Sequence, residues 1–446
     1  MNTTDTLQTR RHFLRTSALG AAAAWTLPVF LEKTFFALDA LAADSVTQTV
    51  TGKDGTILVV LQLAGGNDGL NTVVPYSDDA YHRVRPRIGL ASDKILKLNS
   101  ELGLNGKLTG LKSLYDAGEL AIVQGVGYPN PNRSHFRATE IWQTATDANQ
   151  VASDGWLGRY FDNCCRGSDP TVGVTIGDQT PQAFAAKTPT GVTLSRPEQF
   201  RWRASAGADG KPLTEEEAFY RQLIGAGDEA APTGRGATDG DSIAALPGKT
   251  ESHGSAEDFL RRTALDAQLS SDKILEIARK FKTTVPYPAS PLASSLSLIG
   301  RMIAGGLPTR VYYASLGGFD THAGQINSHD RLMTVLNDAL AAFVADLKQQ
   351  GNFQRVVLMT FSEFGRRVAE NANNGTDHGT AAPMFLLGGG IKPGLFGKTP
   401  SLTDLDAGDL KFNTDFRSVY ATVLDRWLRA PSERVLGRKF ANLALV

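Results

Sequence analysis

The chain has 446 residues, is 41% hydrophobic and 21% charged, and balances 46 Lys plus Arg against 46 Asp plus Glu. Nothing in that balance steers the protein towards nucleic acid, while the apolar share suffices for a substantial core. The two cysteines, Cys164 and Cys165, are adjacent, which suits neither ordinary disulfide geometry nor a zinc-ligand spacing.

At the N-terminus, "TRRHFLRT" puts Arg10 and Arg11 ahead of an apolar, small-residue stretch at 17–31 and an A-x-A site at Ala40-Leu41-Ala42. This predicts a removable export signal of the twin-arginine kind over residues 1–42. The expected partner during export is the twin-arginine translocase, and the expected location is periplasmic or secreted. The apolar stretch is shorter than the roughly 20 residues of a spanning helix, so no permanent membrane span is expected.

Short apolar or β-branched runs then predict strands at 56–63, 120–126, 171–177, 310–316, 355–361 and 383–389. Between them lie helical patterns. Leu332, Val335, Leu336, Ala339, Leu340, Phe343, Val344 and Leu347 recur at i, i+3, i+4 and i+7 spacing, predicting a helix over 328–350 with Ser328 as its N-cap. A second helix is predicted over 290–306 and a third over 255–283. Residues 205–255, rich in Gly, Ala, Ser, Pro and charge, read as a flexible insertion holding the solvated His253. Residues 43–446 are therefore expected to form a single α/β domain: a mostly parallel sheet with helices on both faces.

Polar residues collect where these strands end. "GGNDG" follows the first strand with Asn67 and Asp68; "PNRSHFRATE" follows the second with Arg133, Ser134, His135, Arg137 and Glu140. "GGFDTH" holds Asp320 and His322, "SEFGRR" holds Ser362, Glu363 and Arg366, and "GTDHGT" holds Asp377 and His378 just before the last strand. Open α/β sheets bind ligands outside the carboxyl ends of their strands. Carboxylates mixed with imidazoles suit zinc, manganese or iron, and Asp320 and His322, two residues apart, share a side if the backbone is extended. The competing readings are local. Asp68 and Asn67 also suit turn capping, Glu363 suits an i, i+3 ion pair with Arg366, and His135 suits a role in orienting its own loop. Arg133 and Arg137 suit either an anion clamp or a solvated face.

These segments, "LQLAGGNDGLNTVVPY", "PNRSHFRATEIWQT", "LGGFDTHAGQ", "SEFGRR" and "GTDHGTAAPMFLLGGG", resemble an exported bacterial family called domain of unknown function 1501. That family resembles, in fold, the alkaline phosphatase, sulfatase and phosphoglycerate mutase superfamily. The resemblance implies an alkaline phosphatase/sulfatase-like fold and a paired-metal site with a Ser or Thr nucleophile. Asp68 then matches the first metal-binding aspartate, Ser134 the nucleophile, and Asp320 with His322 and His378 the ligands of one metal. Glu363 falls where an Asp-His pair holds the other. Two departures stand out: Asp-x-His replaces Asp-x-x-x-His, and Ser362-Glu363 replaces Asp-His, removing an imidazole.

The resulting expectation is an exported metal-dependent hydrolase of phosphate or sulfate esters, acting on a small-molecule or glycan ester. One or two divalent ions (zinc, manganese or calcium) would be held by Asp68, Asp320, His322, Glu363 and His378. Ser134, Arg133 and Arg137 would be catalytic, and Asn67, His135 and Arg366 would bind substrate. The alternative is a non-catalytic periplasmic binding or envelope-assembly protein on the same fold. A G-x-S-x-G elbow and a phosphate-binding G-x-x-x-x-G-K-[ST] loop are both missing from the sequence.

Overall fold

The computed structural model describes residues 55–166, 168–187, 191–195, 270 and 272–446. The expected signal, the insertion at 205–255 and most of the helix expected at 255–283 lie outside the described residues. The chain divides into two units, Met1–Leu27 with Glu198–Lys273 and Pro28–Pro197 with Ile274–Val446. The described residues belong almost wholly to the second, and the description concerns that unit.

Strand β1 (Ile57–Leu63) is buried at all seven positions, as a continuous apolar run between two covered faces should be. Short strands β2 (Val73–Val74), β3 (Ile95–Lys97) and β4 (Gly103–Asn105) form a small separate sheet, with helix α1 (Asp79–Val84) between β2 and β3. Helix α2 (Thr109–Asp116) leads into β5 (Leu120–Gly127), then α3 (His135–Thr144), α4 (Trp156–Cys164), β6 (Gly173–Ile176) and β7 (Val192–Leu194). Next come α5 (Pro291–Ala304), β8 (Val311–Leu316), α6 (Gln325–Gln349), β9 (Val356–Phe361), β10 (Ala382–Gly388) and β11 (Gly394–Phe396). The C-terminal part holds β12 (Leu405–Asp406), β13 (Asp409–Leu410), β14 (Thr414–Asp415), α7 (Phe416–Thr422) and α8 (Ser432–Leu436).

The main sheet runs β11-β5-β10-β9-β1-β8-β6-β7, with β14 also beside β5. Strand β10 is antiparallel to both its neighbours, and the other pairings are parallel. The six expected strands are all present, and the fold is the expected α/β class with a mostly parallel sheet. Alternate side chains, such as Leu58 and Val60, Val311 and Tyr313, and Val357 and Met359, enter one core with residues of α3, α4, α7 and α8. The intervening Val59, Tyr312 and Leu358 are equally buried, so the sheet is covered on both faces.

Two helix starts differ in kind. Ser290 caps α5 as a serine should, its side chain accepting from Ala293 N–H. Ser328 does not cap α6: that helix begins at Gln325, after Gly324 with a left-handed backbone (φ 54°). The cause is tertiary. The N–H groups of Gly324 and Gln325 donate to the carbonyls of Asn373 and Asn374, which satisfies the orphan donors of an earlier start. Among the described residues no helix is long and apolar enough to cross a membrane.

Candidate metal centre

Because β1, β5, β8 and β9 run in one direction and β10 in the other, four strand ends and one strand start meet at one edge of the sheet. Asp320 and His322 come from the loop after β8, His135 from the start of α3 after β5, Glu363 and Arg366 from the loop after β9, and His378 from the loop before β10. This is the edge where open α/β sheets bind ligands.

Three imidazole Nε2 atoms surround one carboxylate oxygen. Asp320 Oδ1 lies 3.1 Å from His322 Nε2, 3.1 Å from His378 Nε2 and 3.4 Å from His135 Nε2. His322 Nε2 and His378 Nε2 are 2.9 Å apart. His135, Asp320 and His378 can offer ligand atoms that all lie within 4.8 Å of one another. Separations near 3.3 Å are roughly the edge of a tetrahedron with bonds of about 2.0 Å, the usual zinc–nitrogen length.

The other nitrogen of each ring is taken by an oxygen. His135 Nδ1 is 2.9 Å from Glu363 Oε1, His322 Nδ1 is 3.1 Å from Asp377 Oδ1, and His378 Nδ1 is 2.8 Å from the carbonyl of Arg133. A carbonyl or carboxylate oxygen only accepts, so each Nδ1 has a partner for its proton, and a ring protonated there turns an Nε2 lone pair toward Asp320 Oδ1. In that tautomer the three Nε2 atoms present lone pairs to one another and to an anionic oxygen. His135 Nε2 is also buried without a hydrogen-bond partner. Lone pairs so opposed call for a cation between them, and the outer oxygens on Nδ1 are the arrangement that orients metal-bound histidines. The donor set fits a divalent transition metal.

Arg366 and the glycine turn hold this cluster together. The Arg366 guanidinium is fully buried. It donates to the carbonyls of Gly65, Gly66, Phe319 and Thr376, and to Asp320 Oδ1 at 2.6 Å. Burial raises the Asp320 carboxyl, but the hydrogen bond and charge of Arg366 lead the opposing contacts and hold the group down to about 2. Gly65 and Gly66 have φ of +115° and +79°, a region L side chains avoid. A Cβ on Gly65 would stand 2.6 Å from Asp320 N, and one on Gly66 2.4 Å from Phe364 Cε2. The turn thus presses backbone against the site, and Gly65 N–H donates to Glu363 Oε1 at 2.7 Å. The Phe364 ring in turn packs on His135 and His378, with centroids 4.9 and 4.6 Å apart.

The other expected site residues lie elsewhere. Asp68 is fully buried, and its carboxylate faces Arg85 Nη1 at 2.6 Å, the Gln325 amide and Leu70 N–H, not the histidines. Burial opposes its ionisation, yet Arg85 keeps its pKa below the ordinary range. Asn67 is also buried; its side-chain oxygen accepts from the Thr72 hydroxyl and faces His329 Nε2, both at 3.1 Å. Glu363 stands behind His135 instead of pairing with Arg366. Arg133 is ion-paired with Asp409, while Arg137 pairs with Glu140 at 2.6 Å and donates to the Ala148 carbonyl. Ser134 is exposed at the N-cap of α3, and its hydroxyl does not cap that helix. Sequence reasoning did not find Arg85, Asp409 or Asn371, whose side-chain amide donates to Asp377 at 3.1 Å. Arg85 and Asn371 lie outside the strands, and Asp409 opens the two-residue β13, too short to be marked by an apolar run.

Several solved structures are similar at about a tenth identity. The lipoteichoic acid synthase LtaP from Listeria monocytogenes shares 10% identity over 87% of this chain and 74% of its own, with a TM-score of 0.36. The PsFucS1 sulfatase from Pseudoalteromonas sp. shares 11% over 87% and 71%, with a TM-score of 0.34. A protein in the alkaline phosphatase superfamily from Vibrio parahaemolyticus shares 9% over 82% and 70%, with a TM-score of 0.31. No curated protein matches the sequence. The model of the protein-of-unknown-function family DUF1501 matches residues 123–436, which include His135, Asp320, His322, Glu363 and His378, and the chain belongs to that family.

Proposed function

We propose that this chain is an exported, metal-dependent hydrolase of phosphate or sulfate esters. A divalent ion would be held by His135, Asp320 and His378, with His322 on the flank of the same cluster. The observation that carries this reading is the convergence of three Nε2 atoms on Asp320 Oδ1, each ring fixed from behind by an oxygen. Relative to the ligand set expected from sequence, His135 joins, Glu363 acts from behind it, and Asp68 lies apart, paired with Arg85.

When bound, the metal supplies Lewis acidity toward an ester oxygen and a lowered pKa for a bound water or hydroxyl. One carboxylate and neutral imidazoles leave a divalent ion net positive, which suits an anionic ester. The resemblance of this family's fold to that of the phosphatase and sulfatase superfamily supports the ester class. Arg366, buried behind Asp320, keeps that carboxylate ionised and aimed. Ser134 offers an uncommitted hydroxyl at the positive end of α3, one residue from His135, and is the nucleophile candidate beside water.

A specific observation also favours the binding or envelope-assembly reading. Arg133 and Arg137 are both engaged in ion pairs, with Asp409 and Glu140, so neither is free to stabilise developing charge. An assay of metal-supplemented protein on 4-nitrophenyl phosphate and 4-nitrophenyl sulfate separates the two. Hydrolysis that falls in Asp320→Ala by more than the roughly 10–100-fold typical of outer residues supports the hydrolase. Turnover that survives the substitution contradicts it, and metal binding without turnover favours the binding protein.

A further inference from the structure

Phe364 has a second neighbourhood. Its ring packs on His135 and His378 and also walls a cleft of about 270 Å³ with Tyr128, Phe412, Leu410, Asn130 and Asp406. The loop that lines one side of this cleft, after β5, continues into His135. The cleft and the cluster therefore share a wall and a loop.

We infer that this cleft binds a neutral ring with one apolar face, the organic part of the ester whose anionic group meets the cluster. The half-buried Phe412 ring supplies flat apolar surface, which favours stacking on a ring, and the buried Tyr128 and Phe364 complete the apolar wall around it. An apolar cavity of roughly 150 Å³ already holds benzene, so the volume fits one substituted ring. The rim is polar but not cationic: Asn130 and Asp406 are exposed, and the Lys411 ammonium is paired with Asp404. A carboxylate at the rim disfavours an anionic ring and accepts from hydroxyls. Aryl and glycosyl rings share this chemistry. Calling the ring part of an ester rests on the proposed hydrolase activity; its binding does not.

The test is ligand-observed saturation-transfer NMR on the full-length protein, with phenol and methyl β-glucoside as probes. At least one should bind, weakened about tenfold or more by Phe412→Ala, as loss of a stacking ring predicts, and left within about twofold by Lys112→Ala, a surface position outside the cleft. Should Phe412→Ala not fold, exposed Asp406→Ala serves: weakened glucoside with unchanged phenol marks a sugar subsite, and weakening of neither overturns the assignment, as does the absence of binding by both rings to wild type. Ring binding that depends on Phe412, in a protein that hydrolyses no ester, leaves the cleft standing and removes the hydrolase.

Discussion

Glu363 Oε1 lies 2.9 Å from His135 Nδ1 and also accepts the Gly65 N–H at 2.7 Å. One buried carboxylate therefore ties the glycine turn after β1 to a histidine of the cluster. Replacing it by alanine frees the His135 ring. Metal affinity is expected to fall about 10–100-fold, the usual cost of losing an outer partner. Glu363→Gln keeps an acceptor and should lose less. Chelator competition measures this, and equal affinity in Glu363→Ala and wild type would make the contact idle.

The Gly65-Gly66 turn should tolerate no side chain. Gly66→Ala puts a methyl 2.4 Å from Phe364 Cε2 at φ +79°. Gly65→Ala meets backbone at Asp320, which cannot step aside. Each is expected to cost more than about 1 kcal/mol and to lower metal occupancy together with stability. Denaturant midpoints and metal content measured on the same samples check this; a stable, metal-loaded Gly65→Ala protein would contradict it.

Asp68 and Arg85 form a pair with both side chains fully buried. Arg85→Met should destabilise by about 3–5 kcal/mol, because it leaves a buried charge alone. The pH dependence has a defined sign. The Asp68 pKa is lowered in the folded state, so its contribution is present above the ordinary carboxylate value and is lost as pH falls through the lowered one. Without Arg85, burial raises that pKa, and stability should instead fall as pH rises past the ordinary value. Urea unfolding between pH 3 and 7, the window about the ordinary aspartate value, tests the reversal.

His329 separates structural from site histidines. It is buried inside α6 beside Asn67 and Thr72, and burial lowers its pKa. His329→Gln should alter stability while leaving metal content unchanged. Loss of metal in this variant would mean that the cluster extends into the core.

Six strands of the main sheet were legible because apolar runs leave few alternatives, while the short β7, β11 and β14 lack such runs; the edge where the loops gather follows from strand direction. Which side chains face inward was less legible. Asp68 follows a strand directly, yet two left-handed glycines turn the chain so that the carbonyls of Gly65 and Gly66, not the Asp68 carboxylate, reach the cluster. Its partner Arg85 lies in a segment with no local signal. His135 was read as substrate-binding because its partners, Asp320 and Glu363, are remote in sequence. Ser328 matched the rule for a helix start, but contacts from Asn373 and Asn374 begin α6 at Gln325.

The central claim is that His135, Asp320 and His378 hold a metal ion. Elemental mass spectrometry of the purified protein, beside Asp320→Ala and His378→Ala variants shown to be folded, tests it most directly. The account predicts a stoichiometric divalent metal in the wild type and its loss in both variants. Metal-free wild type after incubation with zinc or manganese, or undiminished metal in both variants, would contradict it.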